Sequence, residues 1–162
     1  MQLKPAIERL EASSKFKKFK KTHPDFYLVH AFMMVEEGLC PWQIGYYSKK
    51  KDRIVVFDVA EDIKMSPESE VFKKGGSVKK IDLTKINISF DKALEIAEKH
   101  VKEKYSGEPV NKRFAILQEL ERLLWNVTFV TAAFNLINMK LDAETGDLFH
   151  DERTSILNLG KQ

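Results

Sequence analysis

The chain has 162 residues, of which 43% are hydrophobic and 31% charged. These proportions exclude a disordered chain and allow one ordinary domain, or two half-size units that share an interface. The net charge of +3 is unevenly placed, because residues 1–24 carry seven Lys or Arg against two Asp or Glu, while the rest carry 20 against 22. An acidic partner would therefore meet the N-terminal segment first.

The lack of a targeting signal and the single cysteine both indicate a cytoplasmic protein. The longest near-apolar run, residues 26–35, is too short to span a bilayer, and the first residues lack the apolar core of a signal peptide. The single cysteine, Cys40, excludes an internal disulfide and a cluster of thiol ligands, as expected in a reducing compartment. We therefore predict a cytoplasmic protein without a transmembrane segment, although a chain from which a signal peptide had been removed would have the same sequence.

Two helical segments are predicted at the start of the chain. Leu3, Ile7 and Leu10 recur at helical spacing, whereas Phe16 and Phe19 fall on nearly the opposite side of the same ideal helix. The register therefore changes between the two groups. We predict one helix to about residue 12, and then either a kink or a second helix.

The second helical segment is basic. We predict that Ser13 or Ser14 caps it and that it ends before Pro24. Five lysines surround its two phenylalanines: Lys15, Lys17, Lys18, Lys20 and Lys21. The simplest interpretation is a solvated lysine face over two buried rings, and the alternative is a contact with nucleic acid or a membrane surface.

Residues 25–36 are rich in aromatic and β-branched side chains and predict a long strand. Alternation would place one set of side chains together: Phe26, Leu28, His30, Phe32 and Met34. The other set would be Tyr27, Val29, Ala31, Met33 and Val35. Both sets are largely apolar, so we expect both sides of this strand to be covered within the chain, or one side by a helix and the other by a partner. We interpret His30 as a residue of the sheet and not as a ligand.

The middle of the chain predicts two strands, a polar segment and a helix. The strands, at 42–48 and 53–59, are joined by the polar turn 49–52. Ser66-Pro67 and Gly75-Gly76 bracket a polar segment, for which we predict a short edge strand at 70–73 and a mobile loop. The helix is predicted at 89–106, with Ser89 as its N-cap and with Gly107 and Pro109 beyond its end.

Residues 113–124 are ambiguous, because good helix formers there have a tolerable helical period. The order of the earlier elements favours a strand at 113–119 and a bend at Glu121-Arg122. Trp125 then opens an alternating strand, as Trp42 does 83 residues earlier, and each strand is followed by a turn and another alternating strand. We predict an α+β fold of two tandem units, 1–80 and 81–162, each a helix plus an antiparallel β-meander, packed as one body.

Three segments of the second unit carry a family resemblance: Ile88-Ser89-Phe90-Asp91-Lys92-Ala93-Leu94-Glu95-Ile96-Ala97, Trp125-Asn126-Val127-Thr128-Phe129 and Leu141-Asp142-Ala143-Glu144-Thr145-Gly146-Asp147-Leu148. Over about residues 86–152 the chain resembles a PepSY domain, a small module of peptidase propeptides and various envelope proteins. The first half is then a diverged copy, since residues 58–62 contain no Asp-Ala-x-Thr-Gly. The resemblance implies a cystatin-like α+β architecture and a role in holding or inhibiting another protein.

No catalytic or metal-binding pattern is found in the sequence. The acidic turn at 142–147 lacks the regular ligand alternation of a calcium loop, and we interpret it as a β-turn with a flexible Thr145-Gly146 backbone. The four histidines, at positions 23, 30, 100 and 150, have no zinc-ligand spacing, and no phosphate-binding glycine motif occurs. We therefore predict no enzyme activity, no metal and no cofactor.

Aromatic residues are the candidates for a ligand or partner surface: Phe26, Phe32, Trp42, Tyr46, Tyr47 and Trp125. Packing in the core or between units is their simplest use. The function we predict is a non-enzymatic protein-interaction or regulatory module, inhibitor-like, with another protein or a second copy as its partner. The alternative is a carrier of a small apolar ligand in a pocket between sheet and helix. Nucleic-acid binding through the N-terminal lysines is a third hypothesis, which the modest net charge disfavours.

Overall fold

A single large sheet with helices on one side forms the body of the protein. The computed structural model describes residues 1–38, 40–71 and 78–159. Of the edge strand predicted at 70–73, residues 72 and 73 lie outside the described residues, as does most of the loop predicted after it.

The helices and strands follow one another in the order helix, helix, four strands, helix, four strands and a short final helix. Their bounds are α1 (Leu3–Ala12), α2 (Ser14–Thr22), β1 (Tyr27–Val35), β2 (Trp42–Ser48), β3 (Arg53–Val59), β4 (Ile63–Met65), a 3-10 turn (Leu83–Lys85), α3 (Phe90–Lys104), β5 (Val110–Glu119), β6 (Leu123–Thr131), β7 (Asn135–Asp142), β8 (Leu148–Ser155) and α4 (Ile156–Leu159).

The eight strands form one antiparallel sheet in the order β4-β3-β2-β1-β5-β6-β7-β8. Within each half of the chain the four strands are neighbours in sequence order, and the first strands of the two halves, β1 and β5, pair in the middle. The predicted α+β class is therefore confirmed. The division into two tandem units stays a prediction, because a shared element order does not by itself show a repeat.

The core lies between this sheet and helices α1, α2 and α3. Phe90, at the start of α3, lies between Trp42 of β2 and Trp125 of β6, with ring centroids 5.2 and 5.8 Å from its own. All three side chains are buried, and burial of one such ring contributes roughly 2–3 kcal/mol. The core is therefore continuous across the middle of the sheet.

Each tryptophan also ties a strand to the start of a helix. The indole nitrogen of Trp42 donates to the carbonyl oxygen of Met1 at 2.9 Å, and that of Trp125 donates to the carbonyl oxygen of Ile88 at 2.8 Å. In both cases the accepting carbonyl lies two residues before the first helical residue. The second strand of each half is thereby fixed to the helix of the same half.

A β-bulge in β1 changes the predicted distribution of side chains. The register with β2 shifts between Leu28 and His30, which adds a residue on β1 and moves the later side chains to the other side. Leu28 therefore packs in the core with Ala31 and Met33. The prediction that Leu28 shares a side with Phe32 is wrong, because strict alternation does not hold through a bulge.

The ambiguous segment before Trp125 is a strand, as predicted. Residues 113–119 lie in β5, and the bend at 120–122 leads directly into β6. The acidic turn at 142–147 is also confirmed as a turn. Asp142 Oδ1 accepts from the amides of Glu144 and Thr145 at 2.8 and 3.1 Å, and Gly146 has a φ of +81°, which favours glycine.

Candidate functional site on the helix-free face of the sheet

The face of the sheet opposite α1, α2 and α3, called the helix-free face below, carries a row of side chains in register across six strands. From β3 to β7 the row reads Asp58, Gln43, Phe32, Ile116, Asn126 and Lys140, each paired through its Cα with the next. This central row, as we call it, is apolar in the middle, has amides on either side and has one charge of each sign at its ends.

The middle of the helix-free face is apolar. Phe32 of β1 and Phe114 of β5 lie next to each other with ring centroids 5.8 Å apart. Across the same two strands Phe32 pairs with Ile116, and Phe114 pairs with Met34. All four side chains are half-buried. The buried side chains of helices α1 to α3 belong to the core on the other face, so none of these three helices covers this patch.

The polar flanks of the central row differ in their hydrogen bonding. Asn126 Oδ1 accepts from Asn138 Nδ2 at 2.5 Å, and the same nitrogen lies 3.1 Å from Thr128 Oγ1. Asp58 and Lys140 are half-buried and have neither a side-chain hydrogen bond nor an ion pair with any described residue. A carboxylate and an ammonium group therefore stand unpaired on the same face, on opposite sides of the apolar patch.

His30 lies next to this patch, at the centre of the sheet. Its ring covers Gly45 of β2, where a side-chain Cβ would stand 2.1 Å from the imidazole Cε1, so glycine is needed at that position. Burial lowers the pKa of His30 to about 4, and the ring is therefore neutral at physiological pH. The prediction that His30 is a residue of the sheet is confirmed.

The structure places the predicted aromatic residues in different environments. Phe26, Trp42 and Trp125 are buried in the core on the helix side, and Tyr46 is buried on that side too. Tyr47 is buried as well, and its hydroxyl donates to Asp52 Oδ1 at 2.5 Å. Of the six predicted residues, Phe32 alone lies in the apolar patch of the helix-free face.

The predicted basic patch is divided. Lys15 Nζ donates to the carbonyl oxygen of Ile63 at 2.6 Å, and Lys20 Nζ donates to that of Phe26 at 2.7 Å. The remaining three lysines, Lys17, Lys18 and Lys21, are exposed on α2. Two of the five ammonium groups therefore tie α2 to the sheet and its connections, and are not presented together with the others.

A polar cluster between α3 and β8 escaped the sequence analysis. Asp151 Oδ2 accepts from Lys104 Nζ at 2.7 Å and from Tyr105 Oη at 2.8 Å, and it lies 3.0 Å from His100 Nε2. Hydrogen bonds from Lys104, His100 and Tyr105 hold the pKa of Asp151 well below its usual range. The cluster attaches the end of α3 to an edge strand, and Asp151 lies 46 to 51 residues after the other three members, so no local motif marks it.

The described residues contain no group of three or more His, Cys, Asp or Glu side chains placed to hold a metal ion. None of the helices in the same residues is long and apolar enough to cross a membrane.

No protein-family model and no curated protein matches the chain. Among solved structures, the chain is similar to a crystal structure from Clostridium difficile 630 described as a "putative lipoprotein". The two are 16% identical, with a TM-score of 0.55, over 86% of this chain and 90% of that one. At this identity the likeness shows a shared fold and nothing about function.

Proposed function

We propose that this protein is a non-enzymatic interaction module that pairs with a second copy of itself through the helix-free face. One observation carries the proposal: the central row is complementary to itself. The boundary between β1 and β5 divides the sheet into four strands on each side. A two-fold axis along that boundary would bring each half of one sheet over the other half of the second sheet.

This operation pairs like chemistry with like and opposite charges with each other. Phe32 of one copy lies over Ile116 of the second copy. Gln43 lies over Asn126, whose side-chain nitrogen still has a donor to offer, and Asp58 lies over Lys140. Every contact occurs twice, because a two-fold interface is made of the same patch on both subunits.

The charges at the ends of the central row also favour one of the two possible two-fold axes, which run along the strands or across them. An axis running across the strands would place each end of the central row over the same end of the second copy, so Asp58 would face Asp58 and Lys140 would face Lys140. Juxtaposed like charges disfavour an arrangement, whereas opposite charges fix register. The axis along the strands is therefore the one that the sequence supports.

Twisted sheets can stack in this way. Two identical sheets have the same twist, and sheets packed face to face are about 10 Å apart with strands aligned to within about 30°. The same operation places Lys64 of β4, which extends the row beyond Asp58, over His150 of β8, which extends it beyond Lys140. Burial of the apolar patch supplies the affinity, and the two charge pairs supply orientation.

The resemblance of residues 86–152 to a PepSY domain supports the wider proposal of two PepSY-like units with a protein-binding role. The matched hydrogen bonds of Trp42 and Trp125 agree with it, because each joins the second strand of a half to the carbonyl two residues before that half's helix. In such a duplicated sheet the helix-free faces of both units lie side by side, and they form one broad surface for a partner.

Charge exchange tests the dimer directly. Asp58→Lys alone and Lys140→Glu alone would each replace two attractive pairs by two repulsive ones, and we expect about a thirty-fold weaker self-association, from roughly 1 kcal/mol per pair. A mixture of the two variants restores both attractive pairs in the heterodimer. Light scattering at increasing concentration, with one variant carrying a mass label, measures this outcome.

Lys18→Glu and Glu103→Lys, on exposed positions of α2 and α3, are the matched controls, and neither the single variants nor their mixture should change the mass. A wild-type protein that stays monomeric at all concentrations would contradict the proposal. So would a mixture of the Asp58 and Lys140 variants that associates no better than each variant alone.

A further inference from the structure

A cleft on the helix side of the sheet has the properties of a small-molecule site. It lies between α2, the first two strands and the segment that precedes the 3-10 turn, and it has a volume of about 640 Å³. Its walls are mostly apolar, and they include Phe16, Phe26, Leu28, Ile81 and Leu83. Ligand pockets typically have volumes of roughly 300–1,000 Å³ and this kind of lining.

One polar group in the cleft lacks a partner. Tyr46 lines the cleft with only 3% of its surface exposed, and its hydroxyl oxygen has no hydrogen-bond partner in the described part of the chain. A buried hydroxyl without a partner is unfavourable, so such groups are usually paired. Burial raises the pKa of the Tyr46 phenol, as do the negative charge of Glu11 and the hydrogen-bond acceptor that its carboxylate offers nearby, and the phenol is therefore a donor throughout the physiological range.

The charged groups around the cleft limit which ligand groups can accept a hydrogen bond from the Tyr46 hydroxyl. Lys20 Nζ already donates to the carbonyl oxygens of Phe26 and Pro24 at 2.7 and 3.1 Å, so it is not available to an anion without loss of those bonds. Asp82 Oδ1 accepts from the amide and the hydroxyl of Thr84 at 3.0 and 2.6 Å. Lys80 also lines the cleft and is exposed, whereas Glu11 is the charged group next to the Tyr46 phenol, where it can accept a hydrogen bond and opposes a carboxylate bound to that hydroxyl.

We propose that the cleft binds an uncharged apolar molecule that carries one hydroxyl group. Tyr46 Oη is closed to solvent in the unliganded protein, so the phenol turns toward the ligand on binding. The ligand hydroxyl then accepts a hydrogen bond from Tyr46 Oη and donates one to the carboxylate of Glu11, while the apolar body lies against the aromatic walls. A purely apolar molecule would leave the Tyr46 hydroxyl unpaired, and an anion would meet Glu11. This site lies on the opposite face from the dimer surface, so its occupancy and the dimer are separate claims.

Three probes of similar shape distinguish these cases: naphthol, methylnaphthalene and naphthoate. Titration calorimetry with the full chain should show naphthol binding at least about five-fold more tightly than methylnaphthalene, the gain expected from one buried hydrogen bond, and more tightly than naphthoate. Equal affinities for naphthol and methylnaphthalene, or no binding of any probe, would overturn the proposal.

Tyr46→Phe removes the donor and keeps the ring, so the preference for naphthol should disappear. Because no bond within the protein is lost, the melting temperature should stay at or above that of the wild type, and a clear decrease would show that Tyr46 is already paired with Glu11. Tyr105→Phe, outside this cleft, is the matched control and should leave naphthol binding unchanged.

Leu83→Trp fills the cleft from its half-buried wall and should abolish binding of all three probes. Continued naphthol binding in the folded variant would place the probe elsewhere. Asp58→Lys should leave naphthol affinity unaltered, which separates failure of this site from failure of the dimer.

Discussion

His30 shows how a single side chain sets constraints on its neighbours. Its imidazole ring lies over Gly45 in the next strand, and the pair fills a space that two ordinary side chains would overfill. The position of His30 in a strand is predictable from the sequence, since it lies within an apolar alternating run. The need for glycine opposite it could not be predicted, because the pairing of β1 with β2 includes a bulge.

Stability should depend on pH through this ring. Burial lowers the pKa of His30 from 6.5 to about 4, so the unfolded chain binds the proton more readily than the folded one. The free energy of unfolding should therefore fall as the pH decreases from above 6.5 through 4, by about 1–3 kcal/mol after allowance for the part-exposed position.

Urea denaturation at several pH values measures the effect, with His30→Leu as the comparison. The variant removes the titrating group, so its stability should vary less between pH 6.5 and 4 than that of the wild type. Identical pH profiles for the two proteins would show that His30 has the same pKa in the folded and unfolded states, which would contradict the prediction.

The surface residues of the proposed dimer were harder to identify from the sequence than the buried ones. Phe32 is one of the aromatic residues predicted to form a partner surface. Phe114 and Ile116 lie in the segment 113–124, whose sequence also has a helical period. Asp58 and Lys140 are 82 positions apart, and only the strand order places them in one row. A pairing of that kind has no local signal in the chain.

The two N-terminal helices illustrate how a cap divides a basic segment from an apolar one. Either Ser13 or Ser14 could be the N-cap of α2 on the sequence alone. In the structure the cap is Ser13, whose Oγ accepts from the amide of Phe16 at 3.2 Å. Ser13 also ends α1, because its extended backbone interrupts the helix. The change of register after Leu10 therefore reflects two helices and not one kinked helix.

Replacing each of the two serines by alanine should show which of them stabilises α2 as its N-cap. Ser13→Ala removes the acceptor for the first turn of α2 and should destabilise the protein by about 1 kcal/mol. Ser14→Ala, at the exposed first position of the helix, should change the free energy of unfolding by less than about 0.5 kcal/mol. Chemical denaturation of both variants gives the comparison, and equal losses would contradict the assignment.

For the whole molecule, the element order was more predictable than the arrangement of the elements. Alternating strands, caps and turn residues gave the helices and most of the strands, including the strand at 113–119. The pairing of β1 with β5 was not predicted, because it joins residues about 85 positions apart and depends on which edges meet. For the same reason the sequence did not reveal that the faces of the two halves opposite α1, α2 and α3 lie side by side in one sheet.

Shared pairing and a shared core should make the two halves unfold together. Trp42→Phe leaves Trp125 as the fluorescent reporter of the second half, and Trp125→Phe leaves Trp42 as that of the first. In each variant we expect the fluorescence transition to coincide with loss of secondary structure measured by circular dichroism. Two separated transitions in either variant would show instead that the units 1–80 and 81–162 unfold independently.

The strand order also determines how far assembly can proceed. The outer strands are β4, which has three residues, and β8, in which His150, Asp151, Glu152 and Arg153 are consecutive. Short or heavily charged outer strands discourage the addition of further strands, which is the usual route to filaments and aggregates. Pairing through a two-fold face consumes the complementary surface of both copies. The protein should therefore form a particle of finite size, in which association stops at two chains.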